Sequence, residues 1–585
     1  MKHCLLPLLA LTGLLSGCAH TVRMFPLAPP MTEDTDRQHV TTTPKDYFSP
    51  LLWDGADQIA FRPISRFLAV ETPGRSLNVN SLDEVPNSSW FENRIGLGTF
   101  TPEMAKQGAC DESPLDPNKA PWTVVAAKPN GANPGFIIKD SEGRGYLLKM
   151  DGRTEGDRAT TADVFGSRVY HAAGFHAPCN KVVFFDPSVL AVDPEAETED
   201  HLGRDRPMTQ EDVETVLGKA IQLEDGRLRA SASRFLSGRP IGPWTYQGKR
   251  RDDPNDVIRH EDRRELRGAR ILAAWLNHFD AREQNTLDMW VTDPDGTSYI
   301  KHHYIDFGDC LGSRWAQDGL SRRFGHSYYL DVADVLLDFV SLGVVVRPWQ
   351  KVGISEYTPQ WGYYDAEHFK PPNWKAGYPN ISFNRMLDDD GAWMARILAH
   401  FTDEHIAAML SEAHMGRERD REQITRTLIT RRDKLLAWYL QVRSPLADFE
   451  VVEGDDGPEV CFTDLAAKTG ALDPRRIRYE SRMYVGDWET PAWVRHENEA
   501  VSPPADGASC VALVEGGVRA SASGAGASND PSRYQILDLL VYPETGSEPI
   551  GPARLHFYDT PEGFVLAGVE RPADDRPPAK REKGP

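Results

Sequence analysis

Two aspartates and an asparagine bracket one short stretch of this chain. Asp280 and Asn285 stand in an Asp-x4-Asn loop, and Asp306 opens an Asp-Phe-Gly triplet further on. Between them lie two apolar runs, 287–291 and 299–305, separated by the polar turn 292–298, a pattern that predicts a β-hairpin. Carboxylates and amides are hard oxygen donors, the kind that Mg²⁺ accepts beside phosphate oxygens and water. Asn285 and Asp306 could give such oxygens from the two ends of one hairpin. Asp280, on the loop before it, could orient or deprotonate an acceptor hydroxyl. The chemistry this set suits is metal-assisted handling of phosphate.

Elements upstream must supply the rest of such a site. Strands are expected at 122–128, 136–139 and 146–150, with the breaker-rich loop 129–135 and the turn 140–145 between them. The loop carries Gly131 and Gly135, and the third strand carries Lys149. A helix is expected over 157–174, where Ala162, Phe165 and Val169 share one face and Gly174 suits the C-terminal cap. Asp163 lies inside it and Glu155 just before it. Further strands are read at 179–186 and 228–235, with an insertion or solvated helix over 193–218 and a structural break at 238–243.

A helix from 260 to 277 carries Arg263, Arg264, Arg267 and Arg270. These read either as a cationic cluster near an anionic ligand or as a solvated face balanced by Glu261, Asp262 and Glu265. Helices are also expected over 329–342, 392–410 and 423–442, and short alternating strands from about 450 onward. Neither an HExxH zinc helix nor a G-x-S-x-G elbow occurs.

Composition sets outer bounds. At 585 residues the chain needs more than one domain, and 40% hydrophobic residues suffice for a core. A net charge of −21 disfavours nucleic acid or anionic lipid as a general partner. The start, Met1-Lys2-His3 and then an apolar run over 5–15, reads as an export signal too short to span a bilayer. It ends in Leu15-Ser16-Gly17-Cys18, which resembles the bacterial lipobox. That resemblance implies lipidation at Cys18, and Ala19 beside it implies outer-membrane sorting; an ordinary cleaved signal is the alternative. The other cysteines show no zinc spacing, and Cys461 and Cys510 could pair.

Taken together, these residues resemble the protein-kinase-like superfamily over 120–445, and within it atypical members: bacterial toxin-type serine kinases, phosphatidylinositol kinases and spore-coat kinases. The resemblance implies an α+β, bilobal protein-kinase-like fold, with a β-rich N-lobe and a helical C-lobe. By it Lys149 is the nucleotide lysine, Asp163 or Glu155 its helix partner, and Gly131 and Gly135 cover the phosphates. Asp280 becomes the base, Asn285 and Asp306 the metal ligands, and Arg282 takes the place of a lysine that touches the transferred phosphate. Mg²⁺ or Mn²⁺ and ATP or another nucleoside triphosphate are the implied cofactors. Phe279 stands where the family's His-Arg-Asp has arginine, Ala-Pro-Glu is missing and the glycine loop is irregular. These departures bear most on a protein substrate and on control by a phosphorylated loop.

The expected layout is a lipoprotein signal peptide (1–17), a tether (18–60), an N-terminal extension (61–118), an N-lobe (119–225) and a C-lobe (226–448). A C-terminal antiparallel β domain, sandwich-like (449–571), and a disordered tail (572–585) follow. The expected function is an envelope-anchored phosphotransferase with a hydroxyl acceptor. Since the envelope holds little ATP, another nucleotide or nucleotidyl transfer stays open. So does a pseudokinase that binds ligand in its cleft and a protein or glycan through its β domain.

Overall fold

The computed structural model describes residues 23–48, 51–70, 72–110, 115–128, 133–199, 205–313, 318–356, 358–455, 457–485, 494–497, 508–513 and 534–577. Cys18 and Gly131 lie outside them. The fold is mixed α/β. Helical segments Leu51–Ala56 and Asp57–Phe61 lead into α1 (Arg62–Leu68). Strands β1 (Trp122–Ala127), β2 (Gly135–Lys139) and β3 (Gly145–Met150) come next, followed by α2 (Arg158–Ala173), β4 (Asn180–Phe185), β5 (Leu190–Val192) and β6 (Leu228–Arg234). The six strands form one sheet in the order β4-β6-β3-β2-β1-β5.

Alternation along β3 places the lysine. Tyr146, Leu148 and Met150 point into a core with Trp122, Phe136 and Phe185, so Lys149 points to the opposite face, where α2 lies. Helix α2 is buried along nearly its whole length and stops at Gly174, whose φ of 126° suits only glycine.

A second sheet holds the hairpin. Strands β7 (Arg239–Gly242), β8 (Thr286–Thr292) and β9 (Ser298–Tyr304) run in the order β9-β8-β7, with Thr292 opposite Ser298 at the turn. The break expected at 238–243 is therefore strand β7, because Arg239, Pro240 and Gly242 pair with β8. A division at 225/226 would likewise cut β6 from its sheet.

Helices α3 (Arg264–Leu276), α4 (Val332–Val340), α5 (Asp388–Leu398), α6 (Asp403–Ser411) and α7 (Glu418–Tyr439) follow. All but α4 contribute to a core that also takes Trp90, Phe91 and Phe100 of the N-terminal extension. The arginines at the start of α3 are neither solvated nor at the cleft. Arg263, Arg264 and Arg267 are buried, and Arg264 and Arg267 bind Asp83, Asp262 and Asp390. Helical periodicity shows which side chains share a face; it cannot show that distant acids will cover the charged one.

Strands β10 (Leu446–Gly454), β11 (Gly457–Asp464), β12 (Arg478–Val485), β13 (Val494–Glu497), β14 (Ala508–Ala512), β15 (Tyr534–Tyr542), β16 (Ile550–Thr560) and β17 (Gly563–Glu570) complete the chain. They make two sheets, β10-β11-β14 and β13-β12-β15-β16-β17, which share one apolar core. The boundary expected at 449 falls inside β10, whose sequence LADFEVVEG hides a strand among acids.

Both presumed unstructured segments pack where they are described. From residue 23 the expected tether is a strap: Phe25 is buried beside Tyr534, Tyr558 and His556, and Asp36 accepts hydrogen bonds from the Ser89 backbone N–H and hydroxyl. In the expected tail, Asp575 pairs with Arg482 and the Arg576 carbonyl accepts from Arg554; 578–585 lie outside the described residues.

Cys461–Cys510 form a disulfide across β11 and β14, and a second, not foreseen, joins Cys110 to Cys179. Cys310 is buried and free. Closing either bridge restricts the unfolded chain, so reducing each should cost about 2–4 kcal/mol. Urea titrations with and without dithiothreitol test this, and unchanged midpoints would refute it.

Candidate active site

The strand lysine meets the helix acid and the triplet acid at one point. The Lys149 ammonium lies 3.2 Å from Asp163 Oδ1 and 2.8 Å from Asp306 Oδ1. Burial alone would lower its pKa, but the two carboxylates outweigh that and hold it well above its ordinary value. Burial likewise works against the Asp306 carboxylate, and the ammoniums of Lys149 and Lys128 reverse the effect, holding it well below the usual range.

Asp163 is the hub. Its Oδ1 also accepts from the Phe307 backbone N–H (3.1 Å) and its Oδ2 from the Ser231 hydroxyl (2.7 Å), so one side chain joins α2, β3, β6 and the Asp-Phe-Gly turn. Glu155, the alternative partner, does other work. It accepts from Gly152 N–H and Asn133 and pairs with Arg158 at 2.8 Å.

The turn after β9 is held from below. Asp306 sits at φ 57°, a left-handed conformation that costs an aspartate little compared with a branched residue. Arg158 donates to the carbonyls of Gly308 and Gly312, both at 2.9 Å. Phe307 packs against Tyr170 and against Gly166, where an added Cβ would lie 2.6 Å from the Phe307 Cβ.

Asp280 follows His278 and Phe279 on the loop between α3 and β8. Its Oδ2 accepts from Asn285 Nδ2 at 2.8 Å, and its Oδ1 lies 3.2 Å from Arg282 Nε. Burial pushes the carboxyl up to about 7, with Arg282 the strongest opposing charge and Asp309 and Asp306 adding to the rise. Arg282 also stacks over Tyr378, 5.3 Å from the ring centre.

These groups line a cleft of about 250 Å³ together with Lys128, Asn133, Glu155 and Asp309. Tyr378 is shared with an adjoining groove of about 820 Å³. The Asp306 side chain is 43% exposed, into the cleft.

Lys149, Asp163, Asp280, Arg282 and Asp306 are thus brought together. Asn285 reaches the group only through Asp280, and it does not line the cleft. Gly135 opens β2 opposite Lys149, where an added Cβ would meet the Leu148 carbonyl oxygen at 2.2 Å. Sequence reasoning passes over Lys128 and Asp309. The first directly follows β1, beside the breaker-rich loop, and the second directly follows Asp-Phe-Gly; adjacency to those motifs was the available signal.

The acids test the metal expectation. Asp280, Asp306 and Asp309 converge on one cleft, and burial followed by repulsion from Asp306 raises the Asp309 carboxyl, against Arg158. Among the described residues no three acids gather closely enough to hold a metal ion by themselves; Asp306 and Asp309 nonetheless offer the cleft hard oxygens of the kind Mg²⁺ or Mn²⁺ accepts beside phosphate oxygens and water.

No family model and no curated protein matches the chain. Among solved structures, a Golgi casein kinase crystallised with Mn/ADP is 12% identical, with a TM-score of 0.21 over 55% of this chain and 74% of that one. Another structure of the Golgi casein kinase is 10% identical, with a TM-score of 0.22 over 72% of this chain and 97% of the other. Likeness at this level carries no weight for function, which rests on the side chains above.

Proposed function

We propose that this chain is a metal-dependent phosphotransferase of kinase-like, two-lobed build that moves a phosphoryl group from a nucleoside triphosphate to a hydroxyl. One observation carries the reading: a single buried ammonium, Lys149, bridges Asp163 and Asp306 in a cleft whose far wall is Asp280. Lys149 serves as a point charge for the donor phosphates, and Lys128 adds a second. Asp306 and Asp309 are the residues that would hold Mg²⁺ or Mn²⁺, with Asn285 behind them; the cation would neutralise phosphate charge. Asp280 receives the acceptor's proton as the acceptor oxygen bonds to phosphorus and the bridging P–O bond of the donor breaks. Arg282 fixes the Asp280 carboxylate and faces the same space.

Transfer should therefore follow the ionisation of Asp280. A carboxyl raised to about 7 keeps its proton below that pH, where it cannot serve as base. The rate should rise with pH through the ionisation of Asp280, at a pH below about 7 once a cation on Asp306 and Asp309 relieves their repulsion, and then level; Asp280→Asn should lower kcat about 10²–10⁴-fold and flatten the profile. A variant that keeps the wild-type profile would remove Asp280 from the base role.

A binding module without turnover is the second reading, favoured by the engagement of the Asn285 amide with Asp280 rather than with the cleft. Envelope anchoring through Cys18, at the outer membrane, completes the proposal. Two disulfides suit an oxidising compartment. No helix among the described residues is long and apolar enough to cross a membrane.

A further inference from the structure

Helix α4 has its polarity reversed. Its acids are tied by ion pairs: Asp334 and the half-exposed Asp338 pair with Arg347 at 3.1 and 2.9 Å, and the preceding, buried Asp331 pairs with Lys375 at 2.7 Å. Its large apolar side chains face out, with Phe339 78% and Leu342, just past its end, 89% exposed, and none of its residues is buried. A globular surface helix carries the opposite arrangement.

Helix α1 touches α4 and shares the habit. Phe61, Phe67 and Leu68 are exposed, while Arg62 is turned inward onto Asp57 and Glu283. Segment 51–70 contains two aspartates and two arginines, and segment 332–351 two aspartates, one arginine and one lysine, so each is neutral in a chain of net charge −21. An apolar face this broad that adds no negative charge of its own suits an interface rather than water.

The face adjoins the cleft. Arg62 grips Glu283, one residue from Arg282. On the other side, Tyr329 packs on Tyr378 at 4.7 Å, two residues before Asp331, which caps α4. The groove of about 820 Å³ runs from Tyr378 to Leu337 of α4.

We infer that α1, α4 and the residues just past α4 form a bilayer-docking face, which sets the mouth of the cleft against the lipid–water boundary. The bilayer is favoured over a second copy by the neutrality of both segments and by where the chain outside the described residues ends. The described residues begin at Arg23, five residues past Cys18, so an acyl group on Cys18 would keep the molecule at a membrane. Combined with the phosphotransferase reading, on which this last step rests, the acceptor hydroxyl belongs to an amphiphile such as a lipid headgroup. The docking itself does not depend on turnover.

The test uses the full chain with Cys4 and Cys18 changed to Ser and an environment-sensitive fluorophore on Leu342→Cys. Vesicles of phosphatidylethanolamine and phosphatidylglycerol, with and without bromine-labelled acyl chains, are the probe. Bromolipid should quench this label about threefold more than the same label on Lys119→Cys, which is exposed elsewhere. Adding Phe339→Asp should remove the difference while nucleotide-dependent thermal stabilisation stays as it was. Equal quenching at the two labels would overturn the inference. So would a blue shift of the 342 label that appears without vesicles and grows with protein concentration, the mark of a second copy on this face.

Discussion

Asp306→Ala is expected to abolish both metal-nucleotide binding and phosphate transfer. The carboxylate shares Lys149 with Asp163 and is 43% exposed, so its loss removes a cation ligand and frees the ammonium to close on Asp163 alone. Losing one preorganised electrostatic group at a transferring phosphate costs about 10²–10³-fold, and losing the cation with it should carry the effect to the upper end or beyond. The protein would be mixed with Mg²⁺ or Mn²⁺ and several nucleotides, then followed by thermal shift and by label transfer. Stabilisation without transfer in the wild type, lost in the variant, would favour the binding module. A variant that still binds and transfers would discard every reading built on this site.

Asp83→Ala should produce the largest loss of stability. One carboxylate meets three arginines: Arg264 of α3 at 2.6 Å, Arg396 of α5 at 3.3 Å and Arg571, just past β17, at 3.2 Å. The extension, the helical body and the last sheet therefore share one buried charge. Deleting it strands cations that Asp390, Glu84 and the Ser444 carbonyl compensate only in part, a change worth about 3–5 kcal/mol. Asp83→Asn, which tolerates the φ of 63°, should cost less.

Acid supplies the sign. Burial works against the Asp83 carboxylate, but the three guanidiniums outweigh it and hold the pKa below its ordinary value. Its contribution is thus complete above the ordinary carboxylate range and disappears as pH falls through the depressed folded value. Urea midpoints for wild type and Asp83→Asn should converge in strong acid. A gap that persists there would assign the effect to packing instead.

The hairpin and the three-stranded run before α2 were legible because both obey strict local rules: alternation within strands and polar breakers between them. Lys149 and Asp163 were legible for the same reason, one on an apolar strand and the other on an apolar helix face. Asp309 and Lys128 enter the site through tertiary placement, which no local pattern encodes. The burial of Arg264 and Arg267 depends on acids at Asp83 and Asp390, distant from them along the chain. Strand β10 was lost among acids, and the strap at 23–48 lacks any periodicity to betray its packing. The exposed apolar side of α4 had the reverse problem: its pattern was clear, and only the structure shows that none of its residues is buried among the described residues.

Phe25 rests against side chains of β15 and β16. During synthesis that seat does not exist until residues beyond 550 have left the ribosome. The Phe25 end of the strap must therefore wait for almost the entire polypeptide even though Asp36 can already hold Ser89, so stalled or C-terminally clipped products would keep that end loose. Proteases could recognise such incomplete molecules by that end alone.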